Sequence, residues 1–386
     1  MEVPLLDLRA QHAVIREEVK KVVKEVLEEQ QFILGERVAN FERQMAEYVG
    51  TSYGVGVASG TDALLLSLMA IGISPDDEII TTPFTFFSTA GVIARLKAKP
   101  VFVDVDPRSF NLNPKLIEEK ISPRTKAIIP VHLFGQCARI KEISQLAEKH
   151  HLPVIEDAAQ AIGASYQGLR VGSIGIAGCF SFYPSKNLGG AGDGGIVLTS
   201  DLELAESIRL LRNHGAQSKY RYSTIGINSR LDALQAAILT VKLKYVNQWN
   251  RARRKKAENY HLLLQQAGLA SDEPEGEGAS ASPERPVIPP IEFPGCYHVF
   301  HQYTIRVRDR DRLKNYLARE GIGTEVYYPI PLHLQRCFGY LGYKEGELIN
   351  AERCAAECLS LPIYPELTRA QQEYVVATIN AFFHER

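Results

Sequence analysis

The chain predicts an α/β fold, with a large unit in which a mainly parallel, mixed sheet lies between helices and a smaller C-terminal α/β unit after it. Three observations predict it. From about residue 53, short apolar runs alternate with helical segments. Several of those runs, such as AIIPVHLFG (127–135) and GGIVLT (194–199), are apolar throughout, as strands covered on both faces are. With 386 residues, 45% of them hydrophobic, the chain can fill a large core.

The elements follow in order. Residues 12–30 form an amphipathic helix, with Ile15, Val19, Val22, Val26 and Leu27 near one face. YGVGVA (53–58) is a strand and TDALLLSLMAIGI (61–73) a helix. EIITT (78–82) and PVFVDV (100–105) are strands separated by a helical stretch, and AIIPVHLFG, PVIEDAA (153–159), GCFSFY (178–183) and GGIVLT continue the sheet. From residue 229 to 268 the pattern reads as long helix. Residues 270–290, rich in Pro, Gly, Ser and Glu, form a loop. VFHQYTIRV (299–307), a helix near 309–320 and GTEVYYP (323–329) give β-α-β, and a last helix starts near 368. The large unit is assigned to residues 1–245 and the small one to 246–386. No internal repeat is found.

Composition narrows the function. Forty-four basic and 45 acidic residues give a net charge of -1, so electrostatics offers no reason for a nucleic-acid or membrane partner. The basic run Arg251 to Lys256 is read as a solvated helix face. Six cysteines include no CxxC and no zinc spacing, so no metal is expected. Cys354 and Cys358, at i and i+4, are read as packing on one helix face. MEVPLLDLRAQ lacks a signal-peptide core and no apolar run reaches the ~18 residues of a membrane span. A soluble cytoplasmic protein is expected.

The chemistry concentrates in CFSFYPSKNLGGAGDGG (179–195), where Lys186 stands between an apolar run and a glycine patch. The patch is no dinucleotide fingerprint, because it leads into another strand rather than a helix. It reads as a tight connection that lets backbone pass close to something. No GxxxxGK[ST] or GxSxG is present. Three strand ends carry polar residues. ASGTDAL (58–64) puts Ser59, Gly60 and Thr61 at a helix N-terminus, either as a simple cap or as a phosphate cradle. VIEDAAQ (154–160) puts Asp157 where α/β folds place ligands, paired with a structural arginine, capping a helix or holding a cationic ring nitrogen. Lys186 is either a surface charge or a reactive amine. A phosphate cradle, a buried Asp and a lysine together are what pyridoxal 5′-phosphate requires.

These residues resemble the DegT family of nucleotide-sugar aminotransferases, which have the PLP-dependent transferase type I (aspartate-aminotransferase) fold. SGTDAL, TPFTFFST, FVDVD, VHLFGQ, VIEDAAQAIGA, SFYPSKNLG, GINSRLDALQAAIL and YYPIPLHLQ occur in the family's order across nearly the whole chain. The resemblance implies that Lys186 is the Schiff-base lysine and proton carrier. It implies that Asp157 pairs with the pyridinium nitrogen, Gln160 bonds the ring hydroxyl and Phe86 stacks on the ring. Gly60, Thr61 and Ser181 would hold the phosphate, joined by Asn228 from the neighbouring subunit of a homodimer. Phe86, Gln160 and Asn228 each have a plain structural alternative, as core or turn residues.

The implied reaction is ping-pong transfer of an amino group from L-glutamate to a nucleotide-linked keto-sugar. Tyr183, where 4-keto enzymes more often carry His, points to the 3-keto position of a dTDP-6-deoxyhexose or a UDP sugar. Tyr183, Arg230, Tyr328 and His333 are the expected substrate contacts. Glucuronate enzymes of the family carry His-Tyr-Pro where this chain has Tyr327-Tyr328-Pro329. A 4-keto aminotransferase, a sugar dehydratase and a non-enzymatic regulator on the same fold are the alternatives; the dehydratases replace the lysine with His. A nicotinamide oxidoreductase fails on the missing GxGxxG after an early strand.

Overall fold

The computed structural model describes residues 1–271 and 285–384. Along the chain the elements are α1 (Leu8–Glu29), α2 (Glu36–Val49), β1 (Tyr53–Val57), α3 (Gly60–Ala70), β2 (Glu78–Thr81), α4 (Ser88–Arg95) and β3 (Lys99–Phe102). Next come β4 (Thr125–Ile129), α5 (Ile140–Lys149), β5 (Ile155–Asp157), the short β6 (Ser165–Tyr166) and β7 (Leu169–Arg170), β8 (Ala177–Ser181), β9 (Gly195–Thr199) and α6 (Leu202–Leu211). A hairpin of β10 (Ala216–Ser218) and β11 (Arg221–Tyr222) precedes α7 (Ala233–Leu243) and α8 (Val246–Gln266). The remainder is β12 (Cys296–Tyr297), β13 (Tyr303–Arg306), α9 (Arg310–Arg319), α10 (Ile349–Glu357), β14 (Cys358–Leu361) and α11 (Arg369–His384).

The main sheet runs β1-β9-β8-β5, then continues through parallel bridges Ile128 to Val154 and Val131 to Asp157 into β4-β2-β3. β9 pairs antiparallel with both neighbours, whereas β5 and β8, β2 and β4, and β2 and β3 are parallel. β1, β8, β5, β4, β2 and β3 therefore all point the same way, and their C-terminal ends share one edge. Side chains alternate between the faces. Val55, Val57, Ile155, Cys179 and Val197 pack with α3, α4 and α6. Ile128, Val154, Phe180, Ile196 and Leu198 pack with α2, α5 and α7. A separate core forms where α8, α9 and α11 cover β13 and β14, and Val3 joins it by pairing with Ile322.

Several sequence expectations are corrected. The long helix from 229 breaks between α7 and α8, where the Tyr245 amide bonds back to Lys242 and the Tyr245 hydroxyl bonds Glu18 on α1. No Gly or Pro marks that break. Leu27 is 49% exposed, because its neighbour Val26 takes the buried position on α1. Residues 323–329 form no strand. Gly323 bonds Val3, Glu325 bridges Ser360, and Tyr327 and Tyr328 then leave the sheet. Residues 299–302 lie along the 134–135 turn, with Val299 bonded to Gly135 and Gln302 to Phe134, so β13 begins only at Tyr303. Cys354 lies on α10 and Cys358 opens β14; both are buried, but they share no helix face. Arg253 of the basic run turns inward and donates to the carbonyls of Phe300, His301 and Ile363. Most of the expected loop at 270–290 lies outside the described residues.

The end of β5 carries two consecutive buried carboxylates. Glu156 accepts from the amides of Gly172 (2.8 Å), Ile174 (2.7 Å) and Gly175 (2.7 Å) and from His132 Nε2 (2.9 Å). His132 Nδ1 accepts from the Ala138 amide, so its Nε2 carries the hydrogen. Burial alone pushes the Glu156 carboxyl upward, but these donors outweigh it and hold it below the usual carboxylate range. Glu156→Ala, which orphans four buried donors, should lower stability by about 3 kcal/mol or more in urea unfolding. The stability this carboxylate contributes is present above its unfolded pKa and lost as pH falls through the depressed folded one. Glu156→Gln should remove that acid-side dependence while keeping the fold.

Candidate active site

The strand ends open on a cavity of about 750 Å³. Gly60, Thr61, Phe86, Asp157, Gln160, Ser181, Tyr183, Lys186 and Tyr328 all line it. Nine residues singled out from sequence, spread over 269 positions, thus meet at the common edge of the parallel strands (60 to 328).

One wall is the N-terminus of α3. Ser59 caps it, accepting from the Asp62 amide (3.1 Å) and, through its carbonyl, from Ala63. The amides of Gly60 and Thr61 have no helical carbonyl to bond and sit on the cavity wall. The cap reading of ASGTDAL is met by Ser59, and the first-turn amides of Gly60 and Thr61 are left with no partner among the described residues. A Cβ on Gly60 would stand 2.7 Å from Ser181 Cβ, so only glycine lets α3 approach β8. The glycine patch does the same from the other side. A Cβ on Gly195 would lie 2.4 Å from the Ser59 backbone, which is the close approach the patch implies.

Asp157 sits opposite. Thr89 Oγ1 donates to its Oδ2 (2.8 Å) and the Ala159 amide to its Oδ1 (3.2 Å). Thr89 gives its one hydrogen to Asp157, so Thr85 must donate in the 3.2 Å contact between the two threonines. Burial raises the Asp157 pKa, against the pull of Thr89, Ala159, Lys186 and His132. Unlike Glu156, which four donors satisfy, Asp157 receives only these two hydrogen bonds and has no ion-pair partner among the described residues. Lys186 follows β8 in a turn closed by its amide on the Tyr183 carbonyl (2.8 Å). Burial brings its amine down to about 8, with Asp157 opposing the shift. An acceptor without a cation and an amine near its titration point, facing one cavity, match a cofactor with a cationic ring nitrogen and a carbonyl.

Gln160 is pinned at both ends: Oε1 accepts from the Phe134 amide (2.7 Å) and Nε2 donates to the Tyr328 hydroxyl (3.1 Å). Phe86 is 56% exposed over the cavity, with its ring centroid 6.4 Å from that of Tyr328. It is not core.

Two expected substrate contacts, His333 and Arg230, are not brought to this cavity, and Asn228, expected to serve a neighbouring subunit, does not line it either. His333 is buried against Glu352, with Nε2 3.0 Å from Oε1, because its backbone turn carries Leu332 to the cavity instead. Arg230 turns its guanidinium to Asn213 (2.8 Å). Asn228 is exposed, while its neighbour Ser229 accepts from the Ala58 amide beneath the α3 cradle (3.1 Å). Sequence reading missed Thr85, Thr89, Ser185, Asp193 and His301. Thr89 was within reach of the motif TPFTFFST, one helical turn after Thr85. Among the described residues no group of acidic, His and Cys side chains is placed to hold a metal.

Comparison with known proteins agrees with this geometry. The "Pleiotropic regulatory protein" of Geobacillus stearothermophilus is 50% identical over 99% of both chains. The UDP-N-acetyl-3-dehydro-alpha-D-glucosamine 3-aminotransferase of Acidithiobacillus ferrooxidans is 44% identical, over 99% of this chain and 98% of that one. The crystal structure of DesV from S. venezuelae, in complex with a ketimine intermediate, superposes with a TM-score of 0.92 at 40% identity, covering 99% of each chain. Residues 13–380 match the DegT/DnrJ/EryC1/StrS aminotransferase family. The chain belongs to that family, as an aminotransferase of the type I fold whose cofactor is pyridoxal 5′-phosphate.

Proposed function

We propose that this enzyme moves an amino group from L-glutamate to the C3 ketone of a sugar carried on UDP or dTDP, in the cytoplasm. The observation that carries the reading is the opposition of Lys186 and Asp157 across a cavity walled by the α3 N-terminus. The 3-keto position is supported by Tyr183 on the cavity wall and by the relative named for a 3-dehydro sugar. The cytoplasmic assignment is supported by six free cysteines, and no helix among the described residues is long and apolar enough to cross a membrane.

Pyridoxal phosphate, when bound, supplies a carbonyl that captures amines and a ring that withdraws electrons from the bonds beside it. The chain's residues do the rest. Gly60 and Thr61 amides and Ser181 hold the phosphate, and the positive end of α3 favours its charge. Ionised Asp157, held by Thr89 and Ala159, keeps a ring nitrogen protonated. Gln160 bonds the ring hydroxyl and Phe86 covers the ring. Lys186 is the covalent anchor. As a free amine, its Nζ takes a proton from the donor's α-carbon and later returns one to the sugar carbon that gains nitrogen.

The half-identical relative named as a regulator favours a second reading, a regulatory role. A panel of UDP- and dTDP-linked 3-keto and 4-keto sugars, assayed with L-glutamate, decides between them. Amino-sugar formation from 3-keto members is expected. A protein that holds the cofactor yet aminates no member supports the regulator instead.

Lys186→Ala should lower turnover at least ~10²–10⁴-fold while leaving thermal unfolding intact. In cofactor-free protein, capture of pyridoxal phosphate should speed up as pH rises and level off above about 8, because only the free base of Lys186 reacts. Stopped-flow absorbance against pH reads this.

The active unit is a homodimer in which Asn228 reaches the partner's phosphate. Its support is the exposed Asn228 and the apolar surface beside it on the 216–225 excursion, where Tyr220, Tyr222 and Ile225 are 78%, 62% and 90% exposed. Lys186→Ala and Asn228→Ala proteins, each inactive alone, should regain activity when co-refolded, since one site of each mixed dimer is then intact. Absence of recovery would place Asn228 in its own chain's site.

A further inference from the structure

His301 lies on the cavity wall with Lys186 and is only 5% exposed. Its environment fixes both its orientation and its tautomer. Asn250 Nδ2 donates to the Ile162 carbonyl (2.9 Å), so Asn250 Oδ1 is the atom that accepts from Asn187 Nδ2 (2.8 Å). Asn187 Nδ2 also reaches the Val299 carbonyl (3.3 Å), which leaves Asn187 Oδ1 facing His301 Nδ1 (3.1 Å). A backbone carbonyl can only accept, so the direction of the whole chain is set from Ile162. His301 Nδ1 must carry the hydrogen, and Nε2 must carry the lone pair. Arg253 clamps the same residue from behind, donating to the His301 and Phe300 carbonyls (3.3 Å each). Burial holds the imidazole well below its usual pKa, and the charges of Lys186 and Arg253 push the same way. The neutral ring thus presents Nε2 as an acceptor. Among the described residues Nε2 has no hydrogen-bond partner, and the residue lines the cavity.

We propose that His301 is a positioning residue of the active site, whose Nε2 accepts a hydrogen bond from the free amine of Lys186 and aims that amine's lone pair. The proposal rests on the reading of Lys186 as the proton carrier. His301 itself gains and loses no proton. Lys186 Nζ takes up one proton and gives it back, while the imidazole removes the amine's rotational freedom. The residue next to the lysine, Asn187, is the one that orients the histidine, so a single amide chain sets both. The charged and titratable groups acting on the pair are Asp157 on the lysine and Arg253 on the histidine.

The test compares His301→Leu and His301→Gln with the wild type, each loaded with pyridoxal phosphate. The Leu variant should take up cofactor yet slow the glutamate half-reaction ~10²-fold in single turnover, with KM little changed, as loss of orientation does. The Gln variant keeps an acceptor and should recover much of that rate. A second readout needs no turnover: the pH dependence of acylation of the Lys186 amine in cofactor-free protein. A neutral acceptor favours the ammonium, so its loss should shift that titration below the wild-type value; a merely structural histidine would not move it. A folded Leu variant with wild-type rate and amine titration overturns the proposal. If thermal unfolding shows that the Leu variant does not fold, the Gln variant and His301→Ala carry the same comparison. A wild-type protein whose Lys186 is not modified by the cofactor overturns the underlying reading instead, which separates the two failures.

Discussion

Two carboxylates on consecutive residues, both removed from water, constrain everything built around the end of β5. An ionised carboxylate in an apolar interior is tolerated only when donors or a cation replace its water. Strand geometry sends the two side chains to opposite faces of the sheet. Glu156 is satisfied by the 172–175 turn and His132, and it locks the strand to that turn. Asp157 receives two hydrogen bonds and no cation, and its pKa rises accordingly. The same stretch of backbone is thus finished on one face and left wanting positive charge on the other. A cationic ring nitrogen is the kind of group that would satisfy it.

The rest of the site follows from strand polarity. Because β9 alone runs against the others, the ends of β1, β8 and β5 fall on one edge and deliver Gly60, Lys186 and Asp157 to one cavity. The glycines at 60 and 195 allow backbone to approach where a side chain would collide. Electrostatics then sorts the roles, with α3 presenting unpaired amides and burial bringing Lys186 to about 8.

Much of this was legible in the sequence. Continuous apolar runs marked the buried strands, and polar residues at their ends marked the site, because strand period and burial are local properties. Contacts that depend on how separate segments cross were not legible. His333 and Arg230 are polar residues in loops near the cavity, yet hydrogen bonds to Glu352 and Asn213 hold them elsewhere. His301 lies in a run that reads as strand, and only its attachment to the 134–135 turn, with Asn187 against its ring, turns it to the site. Arg253 looked like one of a row of surface charges, but three carbonyls from distant segments draw it inside. The break at Tyr245 has no punctuation residue at all; it comes from a partner on α1.

The place of β9 has a consequence for the order of events during synthesis. It inserts between β1 and β8, so β1 has no strand beside it until the chain has been made past residue 199. The α3 cradle is pressed into shape by Ser181 and Gly195, more than a hundred residues downstream. Such long-range pairing closes late. A ribosome-bound chain that stops short of residue 181 thus has β1 and α3 without the segments that pack against them. The cavity at these strand ends is therefore complete only once the chain has been made past residue 199.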